Sequence, residues 1–342
     1  MTKILLNTLF VGTQGAYLRL ENDQVRVELE GEKLLQVPLH HLGSITFFGL
    51  VTLSGPLLMR CADDGRAVVF LNEMGRFRAR VVGKTSGNVY LRRDQYECHR
   101  EPIIATEIAR QMVAGKLQNA RQVLLRGRRD SREPLREGIT LAIEVHEKAL
   151  ADLATVPTID EIRGHEGTAA QSYFNVFDHL ITSQKTDFGF SGRSRRPPRD
   201  RINCLLSFLY SLGTTDCVAA LEGVGLDPQF GFLHVARPGR PALALDLVEE
   251  FRAVILDRLA LSLVNRKQLQ ADHFMPRDGG SVLLTDEGRK ILLTAYQTRK
   301  HQEVRHPLFK EKVPIGLLPH VQARLLARVI RGDAETYLPY QP

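Results

Sequence analysis

The sequence predicts an α+β protein, in which an N-terminal antiparallel β-sandwich domain is followed by a larger all-α domain. Three observations carry this. The first ninety or so residues alternate apolar and polar side chains in short runs separated by turn residues. Beyond the Gly/Ser-containing stretch 83–88 the apolar period changes to 3.6 and strand-like runs almost vanish. The length of 342 residues, 43% hydrophobic and 25% charged, suits about two globular domains. The expected division is 1–88 for the β-domain, 89–100 for a linker and 101–342 for the helical domain.

Ile4 to Phe10 reads as a first strand, since no small-residue cleavage site follows to make it a leader. In 17–30, Leu18 and Leu20, then Val25, Val27 and Leu29, alternate with charged neighbours around an Asn22-Asp23 turn, which predicts a hairpin with one wet face. Further strands are expected at 33–38, 44–48 and 67–71, with a helix between Ser54 as N-cap and Gly65 as C-cap. Helices follow at about 101–127, 132–154, 159–183, 200–222, 241–265, 286–301 and 317–331. The apolar stretch 241–264 is interrupted by Asp246, Glu249, Glu250, Arg252, Asp257 and Arg258, too many charges for a bilayer span, so it is expected to be a buried helix. Four scattered cysteines, Cys61, Cys98, Cys204 and Cys217, form no C-x-x-C pair. A zinc ribbon, an iron–sulfur site and a disulfide framework are therefore disfavoured, and a reducing, cytoplasmic home is expected.

The formal net charge is +7, which tilts the choice of partner toward a polyanion. Two clusters concentrate it. Residues 110–136 hold Arg110, Lys116, Arg121, Arg126, Arg128, Arg129, Arg132 and Arg136 against Asp130 and Glu133, and 185–201 holds six bases against Asp187 and Asp200. Either cluster is a solvated surface or, if a carboxylate site lies nearby, a phosphate track.

Thr158 and Glu161 form a capping box that fixes the phase of the following helix. Ile162, Ala169, Tyr173 and Phe177 then share a stripe, and Glu166 lies within it. A carboxylate facing a core costs several kcal/mol unless a cation or hydrogen bonds compensate. Glu166 is therefore either half of a buried salt bridge with an arginine or a metal ligand. His234 ends a compact turn, 225–234, as a hydrogen-bonded structural residue or a ligand. Asp246 and Glu249, three apart in an apolar helix, project to about the same side and repel unless a cation sits between them. Together these places supply one imidazole and up to three carboxylates, a set suited to Mg²⁺ or, with the imidazole, Mn²⁺.

These motifs resemble a known family. His165-Glu166-Gly167 through Tyr173-Phe174, Asn203 with Leu205 through Tyr210, Gly225-Leu226-Asp227-Pro228 through Gly231-Phe232-Leu233-His234, and Leu245 through Arg252 match, in order and spacing, the CRISPR-associated adaptation endonuclease/integrase family. The resemblance covers nearly the whole chain and is nearest to the branch accompanying type I-C systems. It implies metal ligands at Glu166, His234 and Glu249, with Asp246 in support or as an alternate ligand. Glu249 departs from the family's frequent Asp and lengthens the arm by one methylene. Asn203 and Tyr210 match positions near the site; helix packing is an equal reading for Tyr210.

The implied reaction is insertion of short captured DNA into a CRISPR repeat by 3′-hydroxyl transesterification. The implied partners are DNA, a second copy of the chain, a small ferredoxin-like CRISPR-associated protein and an iron–sulfur CRISPR nuclease. A general metal-dependent nuclease acting on branched or single-stranded DNA, and a non-catalytic DNA-binding scaffold, are the rival readings.

Overall fold

A computed structural model describes residues 6–84, 89–195 and 197–342. Part of the expected first strand (1–5), part of the expected boundary stretch (85–88) and Arg196 of the second basic cluster lie outside the described residues. The N-terminal part contains β1 (Thr8–Val11), β2 (Tyr17–Glu21), β3 (Gln24–Leu29), β4 (Glu32–Pro38), β5 (Ser44–Phe48), β6 (Thr52–Leu53), α1 (Gly55–Asp63), β7 (Ala67–Leu71) and β8 (Phe77–Val81). Asn22 and Asp23 both take positive φ, 50° and 57°, so the β2–β3 hairpin closes as the Asn-Asp pair requires. The Ser54 hydroxyl accepts the Leu57 N–H and starts α1.

The strands form two four-stranded sheets, ordered β4-β3-β2-β6 and β1-β5-β7-β8. Side chains from both, among them Leu18, Val25, Ile45, Phe47 and Val68, share one core with Leu57 of α1. The layered arrangement fits the expectation, but the sheets are mixed rather than antiparallel: β1 with β5, β5 with β7, and β2 with β6 run parallel. Period two reports a strand without its direction. The connection β5–α1–β7 is a crossover through a helix, and such a crossover makes its strands parallel.

The remainder contains α2 (Val89–Arg100), α3 (Pro102–Asp130), α4 (Leu135–Asp152), α5 (Ile159–Asn175), α6 (Arg201–Val224), α7 (Ala242–Phe251), α8 (Arg258–Asn265), α9 (Asp286–His301) and α10 (Leu318–Ile330). Two expectations are corrected here. The region is not all-α, because β9 (Phe274–Arg277) pairs with β10 (Ser281–Leu284) around Gly279-Gly280, and β11 (Glu303–Arg305) pairs with β12 (Lys312–Pro314). Residues 89–100 are not a linker but helix α2. Among its side chains Leu91 and Gln95 are buried, and it docks through polar groups, so no apolar stripe announces it.

Helices α3, α5, α6 and α7 pack on one another around the apolar core. By length and composition α6 could cross a membrane, yet 56% of its apolar window is buried within the protein. The expected single helix 241–265 is broken by a π-helical turn, Arg252–Asp257, between α7 and α8. The β-domain meets the helices where Phe48 of β5 stacks on Phe208 of α6, ring centroids 5.4 Å apart. Gly75 comes close enough to the same ring that a Cβ there would lie 2.9 Å from it. We expect Phe208→Ala, at a position 2% exposed, to cost about 3–5 kcal/mol in urea denaturation. An unchanged midpoint would show that this ring is not the joint between the two parts.

Candidate metal centre

The centre forms where α3, α5, α7 and the loop 226–241 meet. Thr158 caps α5 as expected, its hydroxyl accepting the Glu161 N–H at 3.3 Å. Ile162, Ala169 and Tyr173 are buried on the stripe counted from that cap, and Glu166 is half-buried beside them. Its partner is a lysine rather than an arginine: Lys116 Nζ of α3 hydrogen-bonds Glu166 Oε1. The same ammonium lies 2.8 Å from Glu249 Oε2 of α7. Arg252 Nη1 lies 2.7 Å from Glu249 Oε1, and His234 Nε2 lies 3.9 Å from that oxygen.

Asp246 does different work. Its Oδ2 accepts the N–H groups of Phe232 (2.6 Å) and Leu233 (3.0 Å), and its Oδ1 accepts the His234 N–H (2.9 Å) and faces His234 Nδ1 (2.6 Å). With Nδ1 engaged by this carboxylate, Nε2 is the ring nitrogen left on the Glu249 side. That is the carboxylate–histidine arrangement that orients a metal-ligating imidazole. Asp246 is fully buried and consumed by these contacts.

The His234 loop is held from other sides as well. Gln95 donates to the carbonyls of Asp227 and Phe230 and accepts the Asp227 N–H, each at 2.8 Å. Tyr96 donates to Asp227 Oδ2, His99 Nδ1 lies 2.7 Å from Gly231 O, and Arg163 of α5 donates to Leu233 O at 2.8 Å. Gly231 lies so near the start of α7 that a Cβ would meet the Ala242 carbonyl carbon at 2.7 Å, which only glycine avoids.

Glu249 is 2% exposed. Burial pushes its carboxyl up, but the charges of Arg252 and Lys116 outweigh that and hold it well below the usual carboxylate range. Its Oε2 is buried and accepts no hydrogen bond, since Lys116 touches it without the alignment of one. A carboxylate oxygen lacking a hydrogen bond, a second carboxylate and an aimed imidazole nitrogen are a donor set suited to a hard divalent ion. Among the described residues, however, no three His, Cys, Asp or Glu side chains stand close enough to hold an ion by themselves. Lys116 occupies the space between the two glutamates.

The other expected residues have structural partners. The Tyr210 hydroxyl donates to Asp257 Oδ1 (2.7 Å) and that of Tyr173 to Oδ2 (3.1 Å). Burial, against both hydrogen bonds, raises the Asp257 carboxyl to about 6. The guanidinium groups of Arg252 and Arg193 lie 4.7 and 5.2 Å from the Tyr210 ring centroid. Asn203 is buried and accepts from Arg193 Nη1 (2.6 Å) and the Ser194 N–H (2.9 Å), which shapes the loop entering α6.

Part of each basic cluster is consumed internally: Arg110 by Glu107 and the carbonyls of Leu153 and Val156, Arg121 by Glu147, Lys185 by Asp178 and Arg201 by the Asp187 carbonyl. Arg126 and Arg129 stay exposed at the end of α3 and Arg128 half-exposed. A cleft of about 1640 Å³ opens from the centre toward the β-domain, with Arg66, Arg80, Arg195 and Arg237 in its walls. Lys116, Arg193 and Asp257 had no assigned site role in the sequence. The one available signal was Lys116 falling on the stripe of Ala109, Met112, Ala120 and Val123, all of which are buried.

N-terminal mixed sheets are joined to a helical part that brings two glutamates and a histidine to the foot of a cleft with arginines in its walls. The model of the CRISPR associated protein Cas1 family matches residues 9–298. The chain is 53% identical, over 98% of both chains, to CRISPR-associated endonuclease Cas1 1 of Moorella thermoacetica, and 49% identical, over 99% of both, to CRISPR-associated endonuclease Cas1 2 of Rhodospirillum rubrum. It is 33% identical to a CRISPR-associated exonuclease Cas4/endonuclease Cas1 fusion of Geobacter sulfurreducens, over 96% of this chain and 59% of the fusion.

Among solved structures, a casposase bound to integration product has a similar fold, with a TM-score of 0.84 at 21% identity over 97% of this chain and 93% of that one. A Cas6-RT-Cas1–Cas2 complex does too, with a TM-score of 0.82 at 22% identity over 98% of this chain and 36% of that one. The chain belongs to the Cas1 family.

Behind the centre, Glu250 ties down the C-terminal residues. It accepts from the Tyr337 hydroxyl (2.5 Å), the Tyr340 N–H (2.7 Å) and Gln322 Nε2 (2.9 Å). Asn119 donates to the carbonyls of Glu250 and Tyr340, both at 2.7 Å. Burial, against those hydrogen bonds, raises the Glu250 carboxyl from 4.5 to about 7. The folded state keeps a proton there that the unfolded chain releases, so this contribution to stability is complete below pH 4.5 and lost as pH rises through about 7. Glu250→Gln should flatten that fall, on the order of 3 kcal/mol, in denaturation curves across the window, whatever its absolute stability. A variant with the wild-type slope would contradict the assignment.

Proposed function

We propose that this chain is a divalent-metal-dependent DNA endonuclease and integrase that inserts short foreign DNA into a CRISPR array. The observation that carries the proposal is the meeting of Glu166 and Glu249 on one ammonium, with His234 turned toward Glu249 by Asp246. Glu166, Glu249 and His234 Nε2 would hold Mg²⁺ or Mn²⁺. When bound, such an ion supplies Lewis-acid polarisation of a phosphodiester and stabilisation of the leaving oxygen.

The protein's own groups do the rest. Asp246 keeps His234 in one tautomer and orientation. Arg252 and Arg193 bring positive charge against Tyr210 at the cleft, where a phosphate would lie. The bases in the cleft walls and at 126–129 would follow the DNA backbone. In the reaction a 3′-hydroxyl oxygen bonds to phosphorus as the P–O3′ bond of the repeat breaks; the attacking hydroxyl gives its proton to solvent, and the leaving O3′ oxygen takes one from solvent. With water as the attacking group, the same centre hydrolyses.

The reading includes partners: a second copy of the chain, and a small ferredoxin-like CRISPR-associated protein, supported by the solved complex of a Cas1-containing chain with Cas2. The Cas4/Cas1 fusion supports a nuclease partner. That this partner carries an iron–sulfur cluster, that the chain is of the type I-C branch and that it works in the cytoplasm rest on the motifs and composition alone.

The test is incubation with supercoiled repeat-bearing plasmid, the small partner, short duplexes and Mn²⁺. Wild type should join the duplexes covalently. Glu166→Ala and His234→Ala should keep DNA binding and lose joining by at least about 100-fold, and Asp246→Asn by about 10–100-fold. Nicking without joining would favour the general nuclease, and undiminished biological function in both alanine variants would favour the silent scaffold.

A further inference from the structure

Lys116 stands in the position that a divalent ion would need. Its ammonium pairs with Glu166 and Glu249, the two carboxylates proposed above as ligands. It reaches them from the middle of α3, where Met112, Val113, Leu117 and Ala120 are buried, and its own side chain is only 14% exposed. A lysine there loses most of its hydration, and the ion pairs are what compensate. Arg252 neutralises the other oxygen of Glu249, so in this arrangement the two glutamates face two full positive charges. A divalent ion on the same oxygens would meet an ammonium within a few ångströms, and like charges at that range repel strongly in a poorly solvated pocket. The ion and the paired ammonium therefore exclude one another.

We propose that Lys116 is a built-in occupant of the metal position, so that loading of the ion and release of this ammonium from Glu166 and Glu249 are a single event. The inference rests on the metal site proposed above. It accounts for the company the three acids keep: Asp246 is satisfied by backbone N–H groups, and Glu166 and Glu249 share a cation supplied by the chain itself. It also explains why Lys116 belongs with the centre and not with the basic cluster of 110–136. The flexible four-carbon stem lets the ammonium move off while the α3 backbone stays fixed.

Two measurements on the full-length protein test this. Calorimetric titration with MnCl₂ should show Lys116→Met binding at least about tenfold more tightly than wild type, because the ion no longer binds only a minor, Lys116-released population. On wild type, acylation of the Lys116 amine by an amine-reactive ester, followed by mass spectrometry, should speed up when Mg²⁺ is added, as the ammonium leaves its ion pairs. Equal or weaker Mn²⁺ binding by a folded Lys116→Met protein would overturn the proposal, as would slower labelling with Mg²⁺, which would mean that ion and lysine reside together. If Lys116→Met does not fold, the labelling of wild type decides. If neither protein binds Mn²⁺, the metal site itself fails and takes this inference with it. Binding by Lys116→Met where wild type shows none supports it outright.

Discussion

Glu249 is a carboxylate almost without access to water, set in a helix whose other residues, Asp246 and Glu250 apart, are apolar. A charge so placed has to be compensated, and the arrangement of the centre follows from how this is done. Arg252, one turn on, takes one oxygen; Lys116, from a different helix, takes the other and brings Glu166 with it. Those pairs draw α3, α5 and α7 to one point. The hydrophobic core could place three helices side by side, but it would not fix their rotation so that two acids and an imidazole share a focus. The ionic contacts set that rotation, and they do so at the foot of a cleft with arginines in its walls.

The histidine arrives by a different route. It sits on a loop, where an imidazole would ordinarily wander, and the loop is tied through its backbone to α2, α5 and α7 at once. Asp246 is the principal tie, since it satisfies three consecutive N–H groups and the ring nitrogen together. This division of labour between two acids three residues apart, one binding the chain and one facing the centre, makes the glutamate at 249 intelligible. Asp246 is already committed, and the longer arm at 249 spans from the α7 backbone to the shared ammonium. The C-terminal residues close the back of the same helix through Glu250, and Gly115 of α3 leaves room for Pro339 to pass.

Much of this was legible in the sequence, and what was not has physical reasons. The capping box at 158–161 set the phase of α5 and so placed Glu166 with Ile162, Ala169 and Tyr173; the need of that acid for a partner followed directly. The crowding of Asp246 and Glu249 asked for compensation, which the structure supplies as two quite different sets of contacts. The strand direction in the β-domain was not legible, because alternation looks the same in either direction. Helix α2 was hidden because it docks by Gln95, Tyr96 and His99 rather than by an apolar stripe. Lys116 was counted with neighbouring bases because charge density along a chain does not tell which face of a helix a side chain occupies. The π-helical turn at 252–257 contains no Gly or Pro to announce it, and it becomes visible only through the tyrosines that hold Asp257.

The central claim is that Glu166, His234 and Glu249 form one site for one divalent ion. Anomalous scattering at the manganese edge, from crystals of the chain soaked in Mn²⁺, tests it most directly. The account predicts a single strong peak between the two glutamate carboxyls and within bonding distance of the His234 ring nitrogen that faces away from Asp246. A map with no peak there, or with manganese bound only elsewhere on the molecule, would contradict it.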